Sequence, residues 1–158
     1  MIISDHHHQQ LLDAGHASRQ PVSLFTALEA VMAEVIGHRL FTILRQHQQP
    51  RELERLFTNQ PEAYPLAGRK TVVESDWSRH LLDQGRPFIG YDADDIRKAF
   101  PDHETIASLG CASVLNLPLV RDGVVLGSVN LLHEAGYYNE GHVPTASRLA
   151  DYALPMLP

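Results

Sequence analysis

The sequence runs to 158 residues, with 13 Lys and Arg against 19 Asp and Glu for a formal net charge of −6 at neutral pH. That length suits one domain rather than two, and the acidic balance repels phosphate backbones, so no nucleic-acid partner is expected. A hydrophobic share of 44% excludes a disordered chain, and no apolar run reaches the roughly 18 residues that a membrane span needs.

Residues 1–20 hold His6, His7, His8, Gln9 and Gln10 with little periodicity, and they read as a polar lead-in to a single domain over 21–158. The segment lacks the basic start and apolar core of a signal peptide. A lone cysteine, Cys111, cannot form an internal disulfide. Together these features point to the cytoplasm. Adjacent histidines on an extended chain alternate sides, so His6–His8 do not converge on a metal ion.

Pro21–Ile36 is the clearest helix, with Pro21 at its start and Gly37 just past its end. At 100° per residue, Leu24, Phe25, Leu28, Val31, Met32, Val35 and Ile36 fall within an arc of about 140°. The far side carries Ala27, Ala30 and Ala33, with only Glu29 and Glu34 charged. So little charge suggests a second partner, and a homodimer through helices 21–36 and 143–154 is expected. Arg39–Arg45, Glu52–Thr58 and Arg69–Val73 read as strands, with a turn at Asn59–Glu62. Helices follow over Trp77–Gln84, from Asp92 to Phe100, and over His103–Leu109, with a short extended piece at Pro87–Gly90.

Ala112–Val120 and Val124–His133 are apolar runs flanking Arg121-Asp122-Gly123, the strongest hairpin signal in the chain. Both runs are apolar on both faces, which marks a central pair covered on each side. Val143–Leu154 closes the chain as a helix. Asn116 and Asn130 are amides inside these apolar runs and need hydrogen-bond partners if buried. A two-residue turn at Asp122-Gly123 pairs Asn116 with Val129 and puts the two amides on opposite faces. A three-residue turn starting at Arg121 pairs Asn116 with Ser128 and gathers Asn116, Ser128 and Asn130 on one face. The sequence leaves that register open.

Gly85-Arg86-Pro87-Phe88, Leu109-Gly110-Cys111-Ala112-Ser113, Pro118-Leu119, Asp122-Gly123 and Gly127 within Val125–Leu131 occur in this order. On these residues the chain from about 21 to 157 resembles a GAF domain. The resemblance implies an α+β, profilin-like fold of three layers around a central antiparallel sheet of about six strands. The first and last helices would share one face, and loops and small helices would cover a pocket on the other. It also implies a sensory or regulatory role in signal transduction, through a small molecule in that pocket or through dimerisation alone. It names no ligand and no cofactor.

The expected pocket draws on Asn116, Ser128 and Asn130 as floor and on Trp77, Phe88, Tyr91 and Phe100 as aromatic cover, with core filling the competing role for each. Tyr64, Arg69 and Lys70 lie in the long loop, where the cations can hold a carboxylate or phosphate. Cys111 completes the set. Some GAF-fold proteins reduce free methionine sulfoxide with several cysteines, a cycle that one cysteine cannot close, so a buried, inert thiol is the favoured reading of Cys111. No catalytic constellation stands out, and an enzyme is the less favoured class.

Overall fold

Strands that are apolar on both faces demand cover on both sides, and in the computed structural model the two runs around Asp122-Gly123 lie inside a six-stranded sheet. The structure describes residues 1–66 and 68–158. The strands are β1 (Leu40–Gln48), β2 (Arg51–Thr58), β3 (Arg69–Thr71), β4 (Phe88–Gly90), β5 (Ser113–Arg121) and β6 (Val124–His133). They pair antiparallel throughout in the order β3-β2-β1-β6-β5-β4. Pro118 lies beyond the end of β4, where β5 is an edge on that side, so its missing N–H is tolerated.

The helices are α1 (Asp5–Gly15), α2 (Val22–Val35), α3 (Asp76–Ser78, continuing as a π turn over Arg79–Asp83), α4 (Ala93–Ala99), α5 (His103–Ser108) and α6 (Val143–Ala150, running on as a 3-10 turn over Asp151–Met156). α1, α2 and α6 cover one face of the sheet, with Phe25, Leu28, Val31 and Met32 packed against Phe41, Ile43, Leu117, Val129 and Leu131. Phe57 meets the rings of Phe25 and Phe41 edge-on, at centroid distances of 6.2 and 5.8 Å. α3, α4 and α5 lie over the other face.

The segment read as a polar lead-in forms α1. Ser4 and His7 cap its start. Ser4 accepts from the His7 backbone N–H at 3.2 Å, while the His7 ring accepts from the Ser4 N–H at 3.1 Å, a reciprocal cap. His7 then reaches Glu34 of α2 at 2.9 Å, and His8 reaches the Tyr152 hydroxyl at 2.5 Å. Only Leu11 is buried, which is why the apolar periodicity was too thin to reveal the element.

Two β-bulges set the register. The hairpin turn has two residues, with Asp122 and Gly123 both at positive φ (52° and 77°), and Arg121 pairs with Val124. Between the pairs Val120–Val125 and Leu119–Gly127, however, Leu126 is an extra residue, and the strands beyond it pair Asn116 with Asn130. Neither register expected from turn length alone is the observed one. The bulge leaves the Val125 carbonyl to side chains, and it accepts from Gln46 Nε2 at 2.8 Å and from Gln48 Nε2 at 3.3 Å. In β2, Leu56 is a second extra residue, between the pairs Ile43–Phe57 and Leu44–Arg55. It turns Phe57 towards the helices and Arg55 towards the opposite face.

Past β6, the aromatic run ties the end of α2 to the sheet. Tyr137 and Tyr138 donate to the carbonyls of Ile36 and Gly37 at 2.6 and 2.8 Å. Gly37 has φ of +99°, and a Cβ there would lie 2.1 Å from the Tyr137 hydroxyl. His133 stacks flat on Tyr137 with centroids 3.8 Å apart. Burial, helped by Arg39, holds His133 below its ordinary value of 6.5. The unfolded chain therefore takes up a proton here at higher pH than the folded one. The stability that neutral His133 contributes is complete above the unfolded value and is lost as pH falls through the lower folded value. Urea unfolding at a series of pH values should show this acid-side loss, and His133→Asn should flatten it.

Candidate functional site

The face opposite the long helices carries Leu40, Thr42 and Leu44 of β1, Asn116 of β5 and Asn130 of β6 in adjacent register positions. The amides are 3% and 4% exposed, and they solve their burial problem together. Asn116 Nδ2 donates to Asn130 Oδ1 at 2.7 Å, and Ser128 Oγ donates to the same oxygen at 3.0 Å. Asn130 Nδ2 donates to Thr42 Oγ1 at 3.2 Å. The result is a polar ladder crossing three apolar strands, with every rung supplied by the side chains themselves.

Above the ladder lies a cavity of about 560 Å³. Its cover comes from the loop around Tyr64, from β3 and the chain after it, and from α3 to α5. Ser75 caps α3 by accepting from the Ser78 N–H at 3.0 Å. That cap sets Trp77 so that its indole N–H reaches down to Asn116 Oδ1 at 3.0 Å. Phe100 meets Trp77 edge-on at 5.4 Å. Cover and floor are thus joined by one directional bond. Leu40, Leu44, Ile106, Val114 and Leu132 complete an apolar wall.

Cations ring this cavity. Arg55, Lys70, Arg97 and Lys98 line it, and Asp102 is the one acidic residue among the described lining residues. Asp102 is engaged, since the Tyr64 hydroxyl donates to it. Burial and then that hydrogen bond push the Tyr64 phenol well above its ordinary value, so it stays protonated. Arg55 lies over the Tyr64 ring, 4.8 Å from its centroid, and burial pulls its guanidinium below the ordinary arginine value. Thr42 and Arg55 were not anticipated from the sequence. Thr42 reads there as an ordinary strand threonine, and Arg55 as one charge on a polar strand.

The sequence matches the GAF domain family over residues 24–157. The chain belongs to the GAF domain family. Solved structures agree on the fold. The GAF domain of an Acinetobacter phosphoenolpyruvate-protein phosphotransferase superposes with a TM-score of 0.70 at 12% identity, covering 96% of this chain and 90% of that one. The GAF domain of a two-component sensor histidine kinase from Bacillus halodurans gives 0.65 at 12% identity, covering 87% and 93%. The free methionine-R-sulfoxide reductase of Neisseria meningitidis, solved with its substrate, gives 0.61 at 18% identity, covering 95% and 84%. Comparison with curated proteins finds no match. The fold is the one found in sensory and regulatory modules of signalling proteins, and no helix among the described residues is long and apolar enough to cross a membrane.

Within this GAF domain, Asn116, Asn130, Trp77, Phe100, Tyr64 and Lys70 all border the cavity. Ser128 faces the same way but lies beneath Asn130, buried at 1% exposure, and supports the ladder without lining the space. Phe88 and Tyr91 do not line it. Phe88 in β4 and Tyr91 just after it edge a separate, more open cleft on the other side of Trp77, with Ser75, Asp95 and Lys98. Tyr91 is 45% exposed there. Arg69 is drawn to Glu52 at 3.6 Å rather than to the cavity.

Cys111 also stands outside the cavity wall of this GAF domain. It packs among Leu40, Ile106, Val114 and Leu132, its Sγ 3.8 Å from the Leu109 carbonyl. Burial raises its thiol above the ordinary value, which starves it of the reactive thiolate. A thiol reagent at neutral pH should therefore label Cys111 far more slowly in the folded protein than in urea. Equal rates would show that the site opens readily.

Proposed function

We propose that this GAF domain binds a small organic molecule in the cavity between the sheet and the Tyr64–Ile106 cover, and that occupancy is its regulatory signal. The observation that carries this reading is an apolar cavity of about 560 Å³ whose floor holds a self-satisfied polar ladder and whose lid hangs on Trp77. Small-molecule sites generally span about 300–1,000 Å³ and combine an apolar lining with a few fixed polar groups. The Trp77 bond to Asn116 gives occupancy a way to be read out, because a ligand that takes over Asn116 releases α3 from the floor.

Native mass spectrometry of freshly purified protein, followed by a thermal-shift screen, tests this. A true ligand stabilises as RT ln(1 + [L]/Kd), about 2.7 kcal/mol at a hundredfold excess over Kd. Trp77 is the single tryptophan, so its fluorescence should report the same binding curve. A broad library that neither raises the melting temperature nor perturbs Trp77 would overturn the reading. The proposed assembly is a homodimer through α2 and α6. Supporting it, Thr26, Ala30 and Ala33 on α2 remain exposed even with α1 in place. Sedimentation equilibrium showing only monomer at high concentration would remove that part.

A further inference from the structure

Arg55 is the group in the cavity wall whose needs the protein does not meet. The Leu56 bulge delivers it to the cavity face opposite Leu44, in the second strand of the hairpin. Its guanidinium is held from two sides. Nη1 donates to the Pro65 carbonyl at 2.9 Å, the plane lies over Tyr64, and Tyr64 is anchored in turn by its bond to Asp102. Nε is buried and has no hydrogen-bond partner among the described residues. No carboxylate among the described residues forms an ion pair with Arg55, although the chain as a whole is acidic. Arg55 is half-buried, and the acid whose charge it feels, Asp102, is already taken by the Tyr64 hydroxyl, so the site keeps an excess of positive charge that an anion can offset.

With Nη1 occupied and Nε closed off from solvent, Nη2 is the unclaimed donor that Arg55, a residue of the cavity wall, can offer to an anionic oxygen. Lys70 and Lys98 border the same space and make no ion pair among the described residues, whereas Arg97 is held by Asp94. Apart from these cations and Asp102, the cavity wall is apolar or neutral, with Leu40, Leu44, Leu53, Thr42 and the Asn116–Asn130 ladder. We infer that the occupant of the cavity is a small organic carboxylate, its acid group anchored on Arg55 and its apolar body lying along the sheet towards Trp77 and Phe100. This assignment rests on the proposed ligand-binding role and narrows it to one chemical class.

The test is a panel of alkyl and aryl carboxylates of graded size, each paired with its primary amide and joined by an aryl phosphate ester. Binding is read by thermal shift and by Trp77 fluorescence. At least one acid should bind roughly 10- to 100-fold more tightly than its own amide, the difference that a charge-assisted pair supplies. Arg55→Gln should abolish that preference, and Arg55→Lys, which keeps the charge, should restore part of it. Should Arg55→Gln fail to fold, the acid-to-amide ratio in the natural protein decides alone. Equal binding of acids and amides, full retention of the acid by a folded Arg55→Gln, or preference for the phosphate ester would overturn the carboxylate assignment. Neutral compounds binding while every acid is silent would overturn it too and leave the ligand-binding role standing. Silence from panel and library alike sinks both.

Discussion

Gly127→Ala should destabilise the domain severely. Gly127 lies in β6 between Arg45 of β1 and Leu119 of β5, directly after the Leu126 bulge. A Cβ built there would stand 2.0 Å from the Leu44 carbonyl oxygen, 3.1 Å from the Leu44 carbonyl carbon and 3.2 Å from the Arg45 Cα. Those are backbone atoms in the middle of the sheet, so no rotamer change relieves the clash. β1 and β6 would have to separate, and the Leu44–Ser128 and Arg45–Gly127 pairs would go with them. The expected loss is about 4 kcal/mol or more, comparable to the most damaging core substitutions, a large part of the roughly 5–15 kcal/mol that holds a domain together. Circular dichroism in urea measures it. A midpoint within experimental error of the natural protein would mean that β1 and β6 are not so closely apposed.

Asn130→Leu comes next. The leucine has nearly the shape of asparagine and gains apolar burial, so a simple transfer argument expects stabilisation. The ladder argues otherwise. Asn130 Oδ1 accepts from both Asn116 and Ser128, and its loss strands two buried donors. At about 1–3 kcal/mol for each unsatisfied group, less the gain from burying leucine, the variant should be less stable by about 2–4 kcal/mol. The double variant Asn116→Leu/Asn130→Leu should cost less than the two single changes added together, because the Asn116–Asn130 bond is broken in each single variant but lost only once in the double. A deficit of about 1 kcal/mol or more in that cycle identifies the Asn116–Asn130 bond itself. Simple additivity would mean that the amides act separately.

What the sequence revealed and what it concealed divide along the range of the interactions. The α2 helix, the Asp122-Gly123 hairpin and the closing α6 helix follow from periodicity, capping and turn chemistry, all within a few neighbouring residues. The register that unites Asn116 with Asn130 depends on the Leu126 bulge. That bulge is completed by Gln46, far away in the chain, accepting the duty of a ladder partner for Val125. No rule of turn length could see it. A trace was present in β2, where Leu56 and Phe57 are consecutive apolar residues that break the alternation of a half-buried strand. Read as a bulge, that doublet would have moved Arg55 to the cavity face and added it to the candidates. The aromatic cover was harder still. Trp77, Phe88, Tyr91 and Phe100 look equivalent in sequence, yet the α3 cap aims Trp77 inward while Phe88 and Tyr91 edge the separate cleft on its other side.

The two bulges also bear on how such a chamber changes over time. Leu56 and Leu126 are the residues without a cross-strand partner, so losing either codon would close its bulge while Arg55 stayed opposite Leu44 and Asn116 opposite Asn130. In a regular ladder the same deletion would turn every residue on one side of it to the other face. The strand positions that build the chamber floor are therefore sheltered from a change of chain length at these two places.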